Sequence, residues 1–563
     1  MACTKIFSGD FPEIISDIIQ YFQYDSSTLY SCILVNRLWC RSAIPLLWEN
    51  PFLLQNPKNY RYIEVYLYNL NDDYKTQLNE YGINNELFPS NTLFNYSSFI
   101  QHLDTRRISD SIEKWVAAVI VKEQSIVSEF VDLKYTKMIF KSLFRLFIEN
   151  EANIHTFKFT MLVDKDLEYF KEIFELILQN QYLLRNIKIL TLCIEPITEN
   201  ITKFMKYLYS NCNSVLSLYF LFPSSCNSTT ERHLSRMIDS QKNLKKVYFS
   251  YNSNFPLYHS LLSLKNSNCT NTLRTIIFYF IDFKNIKILN EVFEQLNCLE
   301  SIHILYCYSL DSYFTQQIIN MTKPFKLKSL IIDDVLIEPL QLLLQKSGEY
   351  LENFGLEHNE FIQQVSELTI KYCKNINFLQ LYDLNDDINM TFHLIKNINH
   401  HLNYLTIESY ELSSIILQNL GQVLPPKLEY LNLILNINKR DFEIFIKSFQ
   451  NTYINKLLIS NVRDETREKE EEKNILPYIK EYIMKKKRVE YFAFQECFTL
   501  SFNNDDLFSM EDEVKEFKLY NIIVQNYNDL NIIIHDFINE IQIYCIQYYP
   551  IPADNIPDGF EVF

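Results

Sequence analysis

The sequence predicts an α/β solenoid, with short parallel strands on one face and helices on the other, behind a small helical segment. Three observations predict it. The pattern apolar-x-x-apolar-x-apolar recurs fourteen times from residue 154 onward. Successive copies lie 24 to 29 residues apart over ten consecutive intervals. Helical apolar stripes fill the gaps between copies. A fixed period of this length marks a repeat array. One strand–helix unit cannot bury its own apolar face, so neighbours must stack and share a core.

The copies begin with Ile154-Phe157-Phe159 and Ile187-Leu190-Leu192. They run through Leu273-Ile276-Phe278, Leu327-Leu330-Ile332 and Leu428-Leu431-Leu433, and end at Val489-Phe492-Phe494 and Val514-Phe517-Leu519. The alternation inside each copy is that of a strand with one buried face. Between copies, Ile286, Leu289, Val292, Phe293 and Leu296 share a helical stripe, as do Phe442, Phe445, Ile446 and Phe449. The array spans residues 151–525. At about 4.8 Å per strand, thirteen steps predict a concave sheet of roughly 60 Å. The charged run Arg463 to Lys473 reads as a solvated insertion, and Phe502 to Glu513 as an acidic loop. Leu530 to Ile543 reads as an amphipathic helix that caps the last unit, within a carboxy-terminal region of residues 526–563.

Composition narrows the function classes. The chain has 563 residues and a net charge of −16. That balance repels phosphate backbones and anionic membranes, which disfavours non-specific nucleic-acid binding. No apolar run reaches the roughly 20 residues that span a bilayer. Met1 to Gly9 lacks the apolar stretch of a signal peptide, which predicts a cytosolic or nuclear protein. The twelve cysteines contain no CxxC pair, so the usual zinc spacing is absent and most should be buried as small apolar groups. Only six glycines occur, none within six residues of another. Phosphate-cradling loops need several close together, so GxGxxG, GxxxxGK[ST] and GxSxG cannot be written. The histidines show no HxH or HExxH spacing, and His400-His401 are adjacent and point apart. No metal, cofactor or catalytic set is predicted.

Residues 10–51 carry helix signals of their own. Asp10, Pro12 and Glu13 start one helix, and Ile14, Ile15, Ile18, Ile19 and Phe22 form its apolar stripe. Asp25 to Thr28 starts a second, with Leu29, Cys32, Ile33 and Val35. Trp39, Ile44, Leu47 and Trp48 follow. Three short helices have too little core to hide this much apolar surface, so the segment needs a partner or the adjoining domain. Residues 52–150 read as a helical connector that covers the first repeat.

Two resemblances follow from these residues. The repeat core resembles the leucine-rich-repeat family in its helix-containing form, over roughly residues 150–525. The Asn or Cys that usually follows the core is mostly missing, with Cys307 and Asn436 as loose candidates. This resemblance implies a curved horseshoe with strands on the concave face. Residues 11–48 resemble the F-box motif: Phe11-Pro12-Glu13, Ile15, Ile18 and Phe22, then Leu29, Cys32 and Val35, then Arg37-x-Trp39 and Leu47-Trp48. The motif implies docking on a Skp-type adaptor that bridges to a cullin, with Phe11, Pro12, Ile15, Ile18, Leu29, Cys32, Val35 and Trp39 as the adaptor face. It further implies a non-catalytic substrate receptor of a ubiquitin ligase, with no cofactor.

Substrate recognition is then expected at the outward strand positions Tyr279, His303, Asp333, Glu357, Tyr382, Tyr404, Glu408 and Tyr430. Tyrosines give large contact area at small entropic cost. Asp333, Glu357 and Glu408 share a strand position and predict an acidic stripe for a basic partner segment. Two other readings remain open. One is a repeat scaffold with no ligase, in which residues 10–50 are only a helical cap. The other is an enzyme with its site on an inserted loop.

Overall fold

The structure, a computed structural model, describes residues 12–539 apart from 24, 54–59, 71, 81–91, 124–132, 196–197, 222–227, 253–256, 334–335, 358–360, 383, 385–387, 450–451, 464–474, 485–487 and 499–503. Phe11, the charged run after Arg463 and the tail from Tyr548 lie outside the described residues. The chain forms two compact units. The first holds residues up to 252 together with 259–273, and the second holds 253–258 and residues from 274 onward.

The first unit opens with α1 (Pro12–Gln20), α2 (Ser26–Ile33) and α3 (Arg37–Leu47), where the sequence predicts three helices. The Asp25 side chain caps α2 by accepting from the Thr28 N–H at 3.0 Å. Asn36 caps α3 by accepting from the N–H groups of Leu38 and Trp39 at 2.9 and 3.0 Å. These caps satisfy donors that a helix start leaves bare. Ile15, Ile19, Leu29, Cys32, Trp39 and Ala43 fill the space between the three helices. Trp48 then packs on Tyr66 and Tyr96, with ring centroids 5.3 and 4.2 Å away.

The connector supplies helices Tyr62–Tyr68, Asp72–Glu80, Thr105–Glu123 and Leu133–Glu149. It also supplies a strand that the helical reading of residues 52–150 does not contain. That strand, β1 (His102–Asp104), has a single buried apolar residue, Leu103, and is too short to show a period. It pairs in parallel with β2 (Thr156–Met161). β3 (Ile189–Ile194), β4 (Ser217–Leu221) and β5 (Lys246–Asn252) follow, each parallel to the one before.

The second unit continues the scheme with β6 (Thr275–Ile281), β7 (Ser301–Leu305), β8 (Leu327–Ile332), β9 (Asn353–Leu356) and β10 (Phe378–Leu381). β11 (Tyr404–Ser409), β12 (Lys427–Leu435), β13 (Tyr453–Arg463) and β14 (Val489–Phe498) complete the parallel run. Parallel neighbours need a crossover, and helices such as Ile337–Ser347 and Lys439–Ser448 provide it. In the thirteen copies from Ile154 to Phe494, every one of the three apolar positions is buried, none more than 8% exposed. Each such Leu, Ile or Phe contributes about 1.5–3 kcal/mol by leaving water.

The fourteenth copy, Val514-Phe517-Leu519, is not a strand. It lies in the helix Glu511–Leu519, with Leu519 81% exposed. Glu511, Asp512 and Glu513 occupy the first turn, where negative charge favours a helix, and a three-residue spacing serves one helical turn as well as a strand. The edge of β14 is covered instead by β15 (Asn504–Asp506), which is antiparallel, and β16 (Ile523–Val524), which is parallel. Both block further strand addition there.

Side chains tie successive turns together where the repeat's usual Asn is missing. Cys307 Sγ accepts from the Ile281 N–H at 3.4 Å, and Asn461 Oδ1 accepts from the Ile437 N–H at 2.9 Å. The Gln317 carboxamide bridges the Leu289 N–H and the Ile286 carbonyl at 3.1 and 2.8 Å. Asn461, not Asn436, therefore holds the earlier turn. Close packing between units also needs Gly348, where a Cβ would sit 2.7 Å from the Tyr372 carbonyl oxygen. Backbone on that side cannot rotate away, so Gly348→Ala is expected to cost about 1–3 kcal/mol. A urea midpoint equal to the parent's would show that the neighbouring helix moves freely.

Candidate functional site

The helix-free face of the second unit is the candidate site. Its residues alternate with the buried apolar positions, and the strand register sorts them into rows. The first row is His303, Ser329, Asn353, Phe378, Tyr404 and Tyr430. The second is Tyr279, Leu305, Ile331, Gly355, Gln380, Thr406 and Asn432. Asp333, Glu357, Tyr382 and Glu408 each follow the last apolar residue of their copy and form a third. The eight residues expected to bind substrate thus fall into three rows, with Asp333, Glu357 and Glu408 together in the third. A register shift between β7 and β8 at Ile302/His303 sets Ile304 opposite Leu330, which carries Tyr279 out of the row of Glu357 and places His303 in the row of Tyr404.

Four of the eight are not open to solvent. Tyr279, His303, Glu357 and Tyr430 are 5%, 7%, 8% and 0% exposed, which overturns the expectation that all these positions face water. Asp333, Tyr382, Tyr404 and Glu408 are partly exposed. His303 Nδ1 lies 2.7 Å from Ser329 Oγ, which accepts from Asn353 Nδ2 at 2.8 Å. This polar chain is satisfied within the sheet face.

The third row is an acidic recess walled by tyrosines. Glu357 Oε1 accepts from Gln380 Nε2 at 3.2 Å, and the same nitrogen donates to the Tyr306 hydroxyl at 3.0 Å. Burial first, and then the neighbouring Asp333 and Glu408 carboxylates, push the Glu357 carboxyl up to about 8. Burial also lifts the Tyr306 and Tyr382 phenols well above their ordinary value. Tyr410 donates its hydroxyl hydrogen bond to Glu408. By strand alternation Tyr306 would follow Ile304 toward the helices. A left-handed φ of 53° turns it instead toward Gln380, and Phe280, at φ 54°, stacks on it 5.4 Å away. Bulky residues rarely adopt such φ, and they persist only where surrounding contacts enforce it.

Carboxylates beside ring faces accept N–H donors and attract cations, which is the chemistry that a lysine or arginine side chain answers. Tyr306, Phe280 and Gln380 were not legible as site residues. Phe280 and Tyr306 lie two positions beyond a copy's last apolar residue, where strand alternation assigns them to the opposite face.

The chain covers part of this face itself. A carboxy-terminal strap runs from Gln525, through the short helices Tyr527–Leu530 and Ile534–Asn539, across strands β14 to β10. Tyr527 and Leu530 pack with Tyr430, Leu458 and Ala493. The Tyr527 hydroxyl donates to Asn432 Oδ1 at 2.7 Å. The Tyr430 hydroxyl donates to Asn531 Oδ1 at 3.0 Å and accepts from the Ile532 N–H at 3.1 Å. The Phe537 ring lies 5.3 Å from Phe378 and 4.8 Å from Tyr404. In place of one helix over 530–543 the described residues form the two short helices, interrupted at 531–533, and they lie on a sheet face, not on the end of the last unit; residues 540–543 lie outside the described residues. Leu458 and Ala493, apolar at helix-free positions, are the sequence signal for such a cover.

In the first unit, Ile15, Leu29, Cys32 and Trp39 form the three-helix interior, which corrects their placement on an adaptor surface. Ile18 is partly buried, whereas Pro12 and Val35 are exposed. Ile14, Tyr30, Leu34 and Val35 are 46%, 67%, 84% and 47% exposed. Burial pushes the thiols of Cys212, Cys307 and Cys373 up to about 12, which leaves little nucleophilic thiolate. Among the described residues no cluster of three His, Cys, Asp or Glu side chains could hold a metal ion, and no helix is long and apolar enough to cross a membrane. No protein-family model matches the chain, and no curated protein matches it.

Proposed function

We propose that this chain is a non-catalytic substrate receptor of a Skp-cullin-F-box ubiquitin ligase, acting in the cytoplasm or nucleus. In this reading the three-helix segment docks on a Skp-type adaptor, and the strand–helix array holds a protein substrate. The observation that carries it is the amino-terminal segment. Its interior is filled, yet Ile14, Tyr30, Leu34 and Val35 stay exposed on α1, α2 and the turn after α2. Leu34 and Val35 are adjacent and both exposed, and adjoining large apolar side chains left in water are the chemistry of a docking surface. The acidic recess supports a substrate that offers a basic segment. Catalysis would need no group on this chain, since a receptor acts by raising effective concentration.

A repeat scaffold without a ligase is the second reading. The interior position of Ile15, Leu29, Cys32 and Trp39 favours it, because these residues also suffice to make a stable cap.

Co-purification with a Skp-type adaptor separates the two. Leu34→Asp together with Val35→Asp alters only exposed side chains, so melting is expected to match the parent's. Adaptor binding is expected to fall about 100-fold or more, as charges in an apolar interface do. A folded parent that captures no adaptor would sink the receptor reading.

A further inference from the structure

We infer that the carboxy-terminal strap is an autoinhibitory occupant of the substrate face, lying where a partner polypeptide must lie. This rests on the reading of the helix-free face as the substrate face. The strap shields Tyr404, Tyr430 and Asn432, two of which are the outward tyrosines best suited to hold a partner. It also reaches the row that holds Gln380, the hydrogen-bond partner of Glu357, since Tyr527 donates to Asn432 in that row.

Three features make the strap a separable occupant. Strands β10 to β13 have both sheet neighbours without it, so lifting it breaks no strand pairing among them. Their helix-side core row, Leu379, Leu405, Leu431 and Leu457, lies on the other face of the sheet. Its grip on the sheet beyond Leu530 is made without strand pairing: two hydrogen bonds to the Tyr430 hydroxyl, one from Asn432 Nδ2 at 3.3 Å, the packing of Ile532, the buried Ile534 and the Phe537 ring. Such contacts imitate those of a bound peptide: aromatic anchors, amide hydrogen bonds and no continuous ladder. A segment held this way opens locally without global unfolding.

Hydrogen exchange on the unmodified chain tests the opening. The Ile532 and Phe537 amides are expected to exchange at least about tenfold faster than those of β12. Exchange only in step with β12 would make the strap part of the cooperative fold and overturn the inference. The guarding role is tested with a short arginine-rich peptide, titrated into the parent and into an Ile532→Ser, Phe537→Ser variant of the full chain. Both replacements are neutral, so they add no attraction for the probe.

The variant is expected to bind at least about tenfold tighter, because a face closed nine-tenths of the time loses that factor in apparent affinity. Equal binding to both would overturn the guarding role and leave the substrate-face reading standing. Binding to neither, with the strap amides still opening early, would remove the substrate-face reading and the inference with it. A variant that melts far below the parent would itself assign the strap to the core and overturn the inference.

Discussion

Leu431→Ala is expected to lower the unfolding free energy of the second unit by about 3–5 kcal/mol. Leu431 is wholly buried in β12, in register with Leu405 on one side and Leu457 on the other. Leu379 and Phe492 extend the same row, and both are wholly buried too. Truncation deletes buried methyl groups and leaves a hole. Backbone ladders on both sides hold β12 in place, so the hole cannot close and the cost should fall in the upper part of the Leu→Ala range. In a stacked array the loss also weakens each neighbouring unit. Hydrogen exchange at β11 to β13 should report it, and Leu336→Ala, at a position 61% exposed, should change little. Equal protection in both variants would mean that this row does not carry the core.

What the sequence made legible was the helix-side core. Its signal is apolar side chains at a fixed period, and burial enforces that signal wherever a unit must stack. The helix-free face was harder for a physical reason. Its occupants are tyrosines, amides and carboxylates, whose burial depends on what lies above them. Tyr430 reads as outward from strand alternation, yet Tyr527, Leu530 and Ile532 close over it from about a hundred residues away. The register shift at Ile302/His303 is likewise invisible in a pattern that treats every copy as equivalent. At the amino terminus, the apolar stripe of Ile15, Leu29, Cys32 and Trp39 was legible, but which side of it faces inward was not. Three helices can hide one stripe among themselves, and they hide this one, leaving Ile14, Leu34 and Val35 outside.

Glu357 should make the second unit lose stability as pH rises. Its folded carboxyl titrates at about 8, against an ordinary 4.5. Between those values the folded state holds a proton that the unfolded chain releases, so stability falls with rising pH. The contribution is fully present below pH 4.5, declines from there to pH 8, and is absent above. The shift corresponds to at most about 5 kcal/mol. Gln380 and Tyr306 donate to the carboxyl, whereas Asp333 and Glu408 oppose its charge. Glu357→Gln keeps the shape and stays neutral, so its stability should run nearly flat across this window and exceed the parent's at pH 8.5 by several kcal/mol. Parallel curves for parent and variant, from urea unfolding at pH 5, 7 and 8.5, would assign the slope to other groups. A guanidinium entering the recess would reverse the balance, because a cation beside Glu357 favours the ionised carboxyl. Binding of an arginine-rich peptide should therefore release a proton at neutral pH and tighten as pH rises toward 8. Glu357→Gln should weaken that binding and abolish its pH dependence, an outcome that burial of a merely structural carboxyl would not produce.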